Sequence, residues 1–154
     1  MTQSSEIYDF FLSTIDDFRI DSIMATSGSM VAGEYMEPFL LHSIEEFEIC
    51  TQDLEFTVAT DDDEGFFTET LTMKHKLMLS LIMTKYWLLK DINNLLAFSN
   101  LLQDRDFKRH SSANSLSSRR NFYNQKCEEI SQRLTDYEYK DVNNWSQWRN
   151  QVYY

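Results

Sequence analysis

Apolar residues recur at helical spacing near the start of the chain, where Ile7, Phe10, Phe11, Ile15 and Phe18 follow Ser4 and Ser5, whose hydroxyls can cap free backbone amides. The spacing predicts a first helix over about 5–19. Over 20–35 the residues Ser27, Gly28, Ser29 and Gly33 weaken any regular period, which predicts a loop with room for a short helical turn. Pro38 then suits the first turn of a second helix, where its missing N–H costs nothing. Leu40, Leu41, Ile44 and Phe47 form the buried stripe of that helix, and Glu45, Glu46 and Glu48 its solvated face.

Between 53 and 72 the period changes from helical to alternating. Leu54, Phe56 and Val58 alternate with Glu55, Thr57 and Ala59, then Asp61 to Gly65 interrupts before Phe66, Phe67 and Thr68. A β-hairpin is expected. A two-stranded hairpin is marginal on its own, so this arm has either to dock on its own helices or to reach a neighbour.

From Thr72 to about Gln103 the pattern is strongly helical on two stripes. Met78, Leu81, Leu88, Ile92, Leu95 and Leu102 form one, and Leu79, Ile82, Tyr86, Leu89 and Leu96 the other. A helix apolar over so much of its circumference needs cover on several sides. Thirty residues span about 45 Å at the helical rise, against roughly 38 Å for the diameter of a compact chain of this size. Either the helix bends, with Asn93 and Asn94 as the place, or the subunit is elongated.

Asp104 to Asn114 reads as a loop, with Ser111 or Ser112 as a cap. Leu116, Tyr123, Cys127, Ile130, Leu134 and Tyr137 then mark an amphipathic helix over about 113–137, antiparallel to the long one because the connection is short. Glu138 to Tyr154 lacks a long period and is rich in aromatics, so an extended tail is expected there. The fold class is therefore mainly α: a helical bundle with two long antiparallel helices, a short β-hairpin arm and an extended C-terminal tail. One domain covers 1–140, with the arm at about 53–72, and 141–154 is the tail. Two readings of the tail stand: it packs on its own bundle, or Trp145, Trp148, Tyr153 and Tyr154 insert into a partner, as Trp and Tyr do at interfaces.

Composition sharpens this picture. With 154 residues, 42% hydrophobic, only three glycines and one proline, disorder and a turn-rich β-barrel are disfavoured. The net charge of −11 makes free binding to DNA or an anionic membrane a poor expectation. That charge is divided: residues 1–72 carry one basic side chain against seventeen acidic ones, and 73–154 carry thirteen against eight. The acidic half either folds over the basic half or faces the basic flank of a neighbouring copy in a ring. No apolar run reaches the ~20 residues a membrane span needs. No basic leader opens the chain, so an intracellular setting with Cys50 and Cys127 reduced is expected.

Chemistry is sparse. His42, His75 and His110 lie far apart without metal-ligand spacing, and Asp61, Asp62, Asp63 and Glu64 before Gly65 lack the spacing of a calcium loop. Gly28, Gly33 and Gly65 form no phosphate-binding loop. No catalytic residue, metal ligand or cofactor is assigned, and an enzyme is not expected. The basic cluster Lys108, Arg109, His110, Arg119 and Arg120 has two readings, a salt-bridging face or a weak contact to DNA that another protein delivers, and the first is the expectation.

The second half nevertheless carries a recognisable order. Leu77-Met78-Leu79-Ser80-Leu81-Ile82-Met83-Thr84-Lys85-Tyr86-Trp87-Leu88 is followed by Ile92-Asn93-Asn94, Asp106-Phe107-Lys108, Ser112-Ala113-Asn114-Ser115-Leu116 and Leu134-Thr135-Asp136-Tyr137. Over about residues 66–139 this resembles the head-to-tail connector, or neck adaptor, proteins of tailed bacteriophages. The resemblance implies a structural virion subunit, assembled in the host cytoplasm, that forms a ring of commonly twelve copies between the portal and the tail or other neck proteins. DNA would pass through its channel without specific binding, and no membrane would be involved. By the same analogy Trp145, Trp148, Tyr153 and Tyr154 are candidate anchors on the portal, with the hairpin aromatics Phe56, Phe66 and Phe67 as the second candidate. The competing expectation is a small acidic helical regulator acting in one or two copies on a basic partner surface.

Overall fold

The computed structural model describes the backbone of residues 1–15, 17–60, 63–102 and 109–151, and the side chains of 1–97 and 116–139 apart from those at 16, 61 and 62. Five helices and three short strands follow in the order β1 (Thr2–Gln3), α1 (Ser4–Leu12), α2 (Phe18–Ser27), α3 (Ser29–Glu46), β2 (Phe56–Thr57), β3 (Phe66–Phe67), α4 (Met73–Leu102) and α5 (Arg109–Gln151). The architecture is a helical bundle with two long antiparallel helices and a short β arm, as the periodicity predicts.

Helix α4 is the central element, with α1, α3 and α5 packed around it, while α2 lies on α3. Its direction relative to each partner can be read from side-chain pairs. Glu6 meets Lys76, Thr14 meets Thr84 and Asp17 meets Trp87, each pair seventy residues apart, so α1 runs parallel to α4. Glu46 meets Lys85 and Tyr35 lies under Lys90, while Tyr137 meets His75 and Arg119 meets Asp91. Both α3 and α5 are thus antiparallel to α4. Ile7 and Phe11 of α1, Met36 and Leu40 of α3, and Leu79, Ile82 and Met83 of α4 are fully buried between them. Each such side chain contributes about 1.5–3 kcal/mol of burial energy.

The two apolar stripes of α4 are therefore met largely from within the chain. Met78, Leu88 and Ile92 are buried along with Leu79 and Ile82, and Met73, Leu77 and Leu89 stay exposed. The need for neighbours inferred from this helix is correspondingly smaller than the sequence pattern suggests. Asn93 and Asn94 do not interrupt it.

Several boundaries differ from the sequence expectation. The first helix ends at Leu12 instead of about 19, because the Ser13 and Thr14 hydroxyls turn back onto the carbonyls of Phe10 and Phe11. Asp17 restarts the chain as the N-cap of α2 by accepting from the Arg19 N–H at 2.9 Å, and its other oxygen accepts from the Trp87 indole at 2.7 Å. Phe18, expected in the buried stripe, opens α2 on the face opposite buried Ile20 and is 82% exposed. The expected loop over 20–35 is helical on both sides of Gly28, whose φ of +88° and ψ of 174° make the elbow between α2 and α3. Pro38 stands inside α3 and not in its first turn. Its ring is exposed, and the carbonyl of Glu34 that it leaves without a helical donor belongs to an exposed residue, where water can serve.

The arm is a three-stranded antiparallel sheet in the order β1-β3-β2, with Thr2 opposite Phe67 and Phe67 opposite Phe56. The added strand β1 explains how a hairpin this short is held. Glu64 extends the tie, accepting from the Ser4 hydroxyl and the Ser5 amide at the start of α1. The turn closes with the Thr60 N–H on the Asp63 carbonyl at 2.9 Å. Beside it, a Cβ added to Gly65 would lie 2.6 Å from the Phe56 ring and 3.1 Å from the Thr57 carbonyl, so the approach of the strands requires glycine.

The last helix is longer than expected at both ends. It begins at Arg109, inside the expected loop, and continues to Gln151, where an extended tail was expected. Neither Gly nor Pro occurs between 109 and 151 to stop it. Residues 103–108 and 152–154 lie outside the described residues.

Candidate assembly surfaces

Forty-three residues give α5 a length of about 65 Å at the helical rise. Among the described residues its main helical neighbour is α4, with Leu116, Tyr123, Cys127, Ile130, Leu134 and Tyr137 on the inner side, as their spacing predicts. Only Ile130 and Tyr137 are buried among its described side chains, and Phe122 and Tyr139 are exposed, Tyr139 to 63%. Tyr137 sits on His75, close to the start of α4, yet α5 continues for fourteen residues after it. Trp145 and Trp148 belong to this continuation. Eight and eleven residues beyond Tyr137, they keep the helical register of the inner stripe, and their side chains lie outside the described set. Tyr153 and Tyr154 lie outside the described residues altogether.

The hairpin aromatics are divided by the pleat. Phe67 is fully buried in the core of its own chain, with the Phe56 ring 4.9 Å from it, so it is not available to anchor a partner. Phe56 and Phe66 are half-buried. The arm docks on its own helices.

Among the described residues few ion pairs join the acidic half to the basic half. These are Glu6 with Lys76 and Glu46 with Lys85, both at 2.6 Å. Lys76 holds the Glu6 carboxyl below the usual range. Arg119, Lys126 and Arg133 pair instead with Asp91 and Glu129 of their own half. Lys74 and Lys90 lie over aromatic rings, Lys74 over Tyr137 at 3.9 Å and Lys90 over Tyr35 at 4.2 Å. Asp9, Asp21, Glu34, Glu48, Glu55 and Glu69 remain as an exposed acidic surface. Of the basic cluster, Arg119 is committed to Asp91, Arg120 is exposed, and Lys108, Arg109 and His110 have no described side chains.

One polar cluster escapes the sequence reading. His75 is buried at the base of α4, with Nε2 2.8 Å from the Tyr137 hydroxyl and Nδ1 against the Gln52 amide oxygen and 3.1 Å from the Thr72 hydroxyl. The Tyr137 oxygen also lies 2.7 Å from the Thr51 hydroxyl and accepts from the Thr51 N–H at 3.0 Å. Phe47 packs edge-on against the Tyr137 ring. Burial, with Lys74 adding to it, pushes the His75 pKa below its usual value, and burial pushes the Cys50 thiol up. Beyond the ring opens a shallow pocket of about 210 Å³ lined by Lys74, Leu77, Met78, Arg133, Asp136 and Tyr137. A lone histidine and a lone tyrosine sixty-two residues apart carry no motif; only antiparallel alignment of the two long helices brings them together.

No family model, curated protein or solved structure matches this chain. What it does must therefore be argued from its surfaces. Among the described residues no three His, Cys, Asp or Glu side chains gather to hold a metal ion, and no helix is long and apolar enough to cross a membrane. His42 stacks on Tyr86 at the surface, and burial beside Glu46 pushes the Tyr86 hydroxyl up to about 12. Both cysteines are free thiols.

Proposed function

We propose that this chain is the repeating subunit of a ring adaptor at the head-to-tail junction of a tailed bacteriophage, seated between the portal and the tail or other neck proteins and lengthening the DNA channel. The observation that carries the reading is α5: a helix of forty-three residues whose main helical neighbour among the described residues is α4, continuing past the start of α4 with tryptophans in register with its packed face. A helix that is polar elsewhere and covered on one side is suited to bridging between bodies. The exposed acidic surface adds to this, since a heterologous contact in a closed ring can set one flank of a subunit against the opposite flank of the next. Acidic groups facing a lumen would also let DNA slide without specific binding. The resemblance over 66–139 supplies the setting: a virion component, commonly in twelve copies, with Trp145, Trp148, Tyr153 and Tyr154 as the anchors on the portal.

Imaging of purified particles, with mass spectrometry of their components, tests the proposal. The expected outcome is a ring below the portal that contains this chain in many copies. Its absence from particles, or one or two copies bound to a basic partner surface, would replace the ring with an acidic regulator.

A further inference from the structure

We propose that His75 is a pH-sensitive latch that fastens both ends of the β2–β3 arm to the base of the α4–α5 pair. The arm leaves the helices after Gln52 and returns at Thr72, and one imidazole holds both residues on Nδ1 and the α5 hydroxyl of Tyr137 on Nε2. The surrounding donors assign its protonation. The Gln52 amide oxygen is an acceptor, since it also takes the Thr72 N–H at 2.9 Å while the Gln52 nitrogen donates to the Thr70 carbonyl at 3.1 Å. Nδ1 therefore carries a proton, and in the neutral ring Nε2 accepts from the Tyr137 hydroxyl.

The groups around it favour that state. Both ring nitrogens face neutral partners. On α4 itself the charged neighbour is Lys74, a like charge to an imidazolium. From α5 the ring meets Tyr137, with Arg133 and Asp136 beyond it on the pocket side. From the end of α3 it meets only the Phe47 ring, and from the loop that follows, Cys50 lies against Tyr137 with Glu69 acting on the thiol. A proton added to His75 would place an uncompensated charge in a buried site. The closed form accordingly holds the histidine below its ordinary pKa of 6.5. An opened arm restores the ordinary value, so the open form binds more protons between the two pKa values. The latch holds fully above about pH 6.5 and weakens as the pH falls below it toward the lowered value.

Two backbone amides report the latch directly, because Thr51 donates to Tyr137 and Thr72 to Gln52. Amide exchange by NMR on the full chain, from about pH 7.5 to about pH 5 and corrected for intrinsic rates, should show their opening rise by up to roughly tenfold per pH unit below about 6.5. Amides of Leu79 to Met83 should show no such slope. Tyr137→Phe should free the Thr51 amide at every pH while Thr72 keeps its dependence, and His75→Gln should remove the dependence from both. A flat profile in the unaltered chain, or a slope that survives His75→Gln, overturns the proposal. If His75→Gln does not fold, the ring carbon resonances of His75 in the unaltered chain decide: a midpoint below 6.5 supports the latch, and one at or above 6.5 overturns it.

Discussion

Phe66 and Phe67 are consecutive on β3, and the pleat sends them to different environments. Phe67 is fully enclosed and Phe66 half-buried. Phe67→Ala should therefore cost about 3–5 kcal/mol in urea denaturation, the range for emptying a buried aromatic site. Phe66→Ala should cost clearly less. Gly65→Ala places a methyl against the Phe56 ring and the facing backbone and should cost about 1–3 kcal/mol, as overpacking does. Alternating spacing announces a strand here but cannot assign the inward face, since Phe66 and Phe67 are equally apolar. The deciding partner is Thr2, which lies opposite Phe67 from more than sixty residues away. Strand pairing at that distance leaves no local trace. The same holds for His75, whose partners come from the loop after α3 and from α5.

At the scale of elements, the clearest effect belongs to the elbow at Gly28. Its backbone lies in a region closed to other residues, yet an added Cβ would meet nothing within 4 Å. Gly28→Ala should therefore destabilise through backbone strain alone, by about 1–3 kcal/mol in thermal or chemical unfolding. Compensation by trimming neighbouring side chains is not expected. The long helix α4 was legible to within a residue or two because two apolar stripes mark it and both are largely covered. The boundaries of α1, α2 and α3 were not legible, because their ends are set by Ser13, Thr14 and Asp17 bonding locally and by one glycine, while Pro38 sits on a solvent face where a helix tolerates it. The last third of α5, after Tyr137, was missed for a related reason: its residues show little period, yet nothing in them breaks a helix. The candidate anchors Trp145 and Trp148 were visible as aromatic residues, but their register with Tyr137 emerges only once the helix is known to continue.

At the scale of the whole molecule, α5 continues past the point where Tyr137 meets the start of α4. Removing residues 141–154 takes away the part of α5 that lies beyond the start of α4, so stability should change by less than about 1 kcal/mol. On the proposed ring-adaptor reading, attachment to the portal should be lost in the same variant, measured by particle imaging or by co-sedimentation with portal rings. Unchanged attachment would rule out the tryptophan anchors. Assembly should also weaken as ionic strength rises, because contacts between exposed acidic and basic flanks are screened.

The parallel course of α1 and α4 bears on how the chain reaches its native state. The ties of α1 and the segment after it to α4, at Glu6–Lys76, Thr14–Thr84 and Asp17–Trp87, each close a loop of the same seventy residues. Helices ordinarily speed folding because their contacts are local, whereas here the core waits on a distant encounter. Stopped-flow refolding should run slower than such a helix-rich chain would suggest, and a permuted version that brings the two helices close in sequence should recover the missing speed.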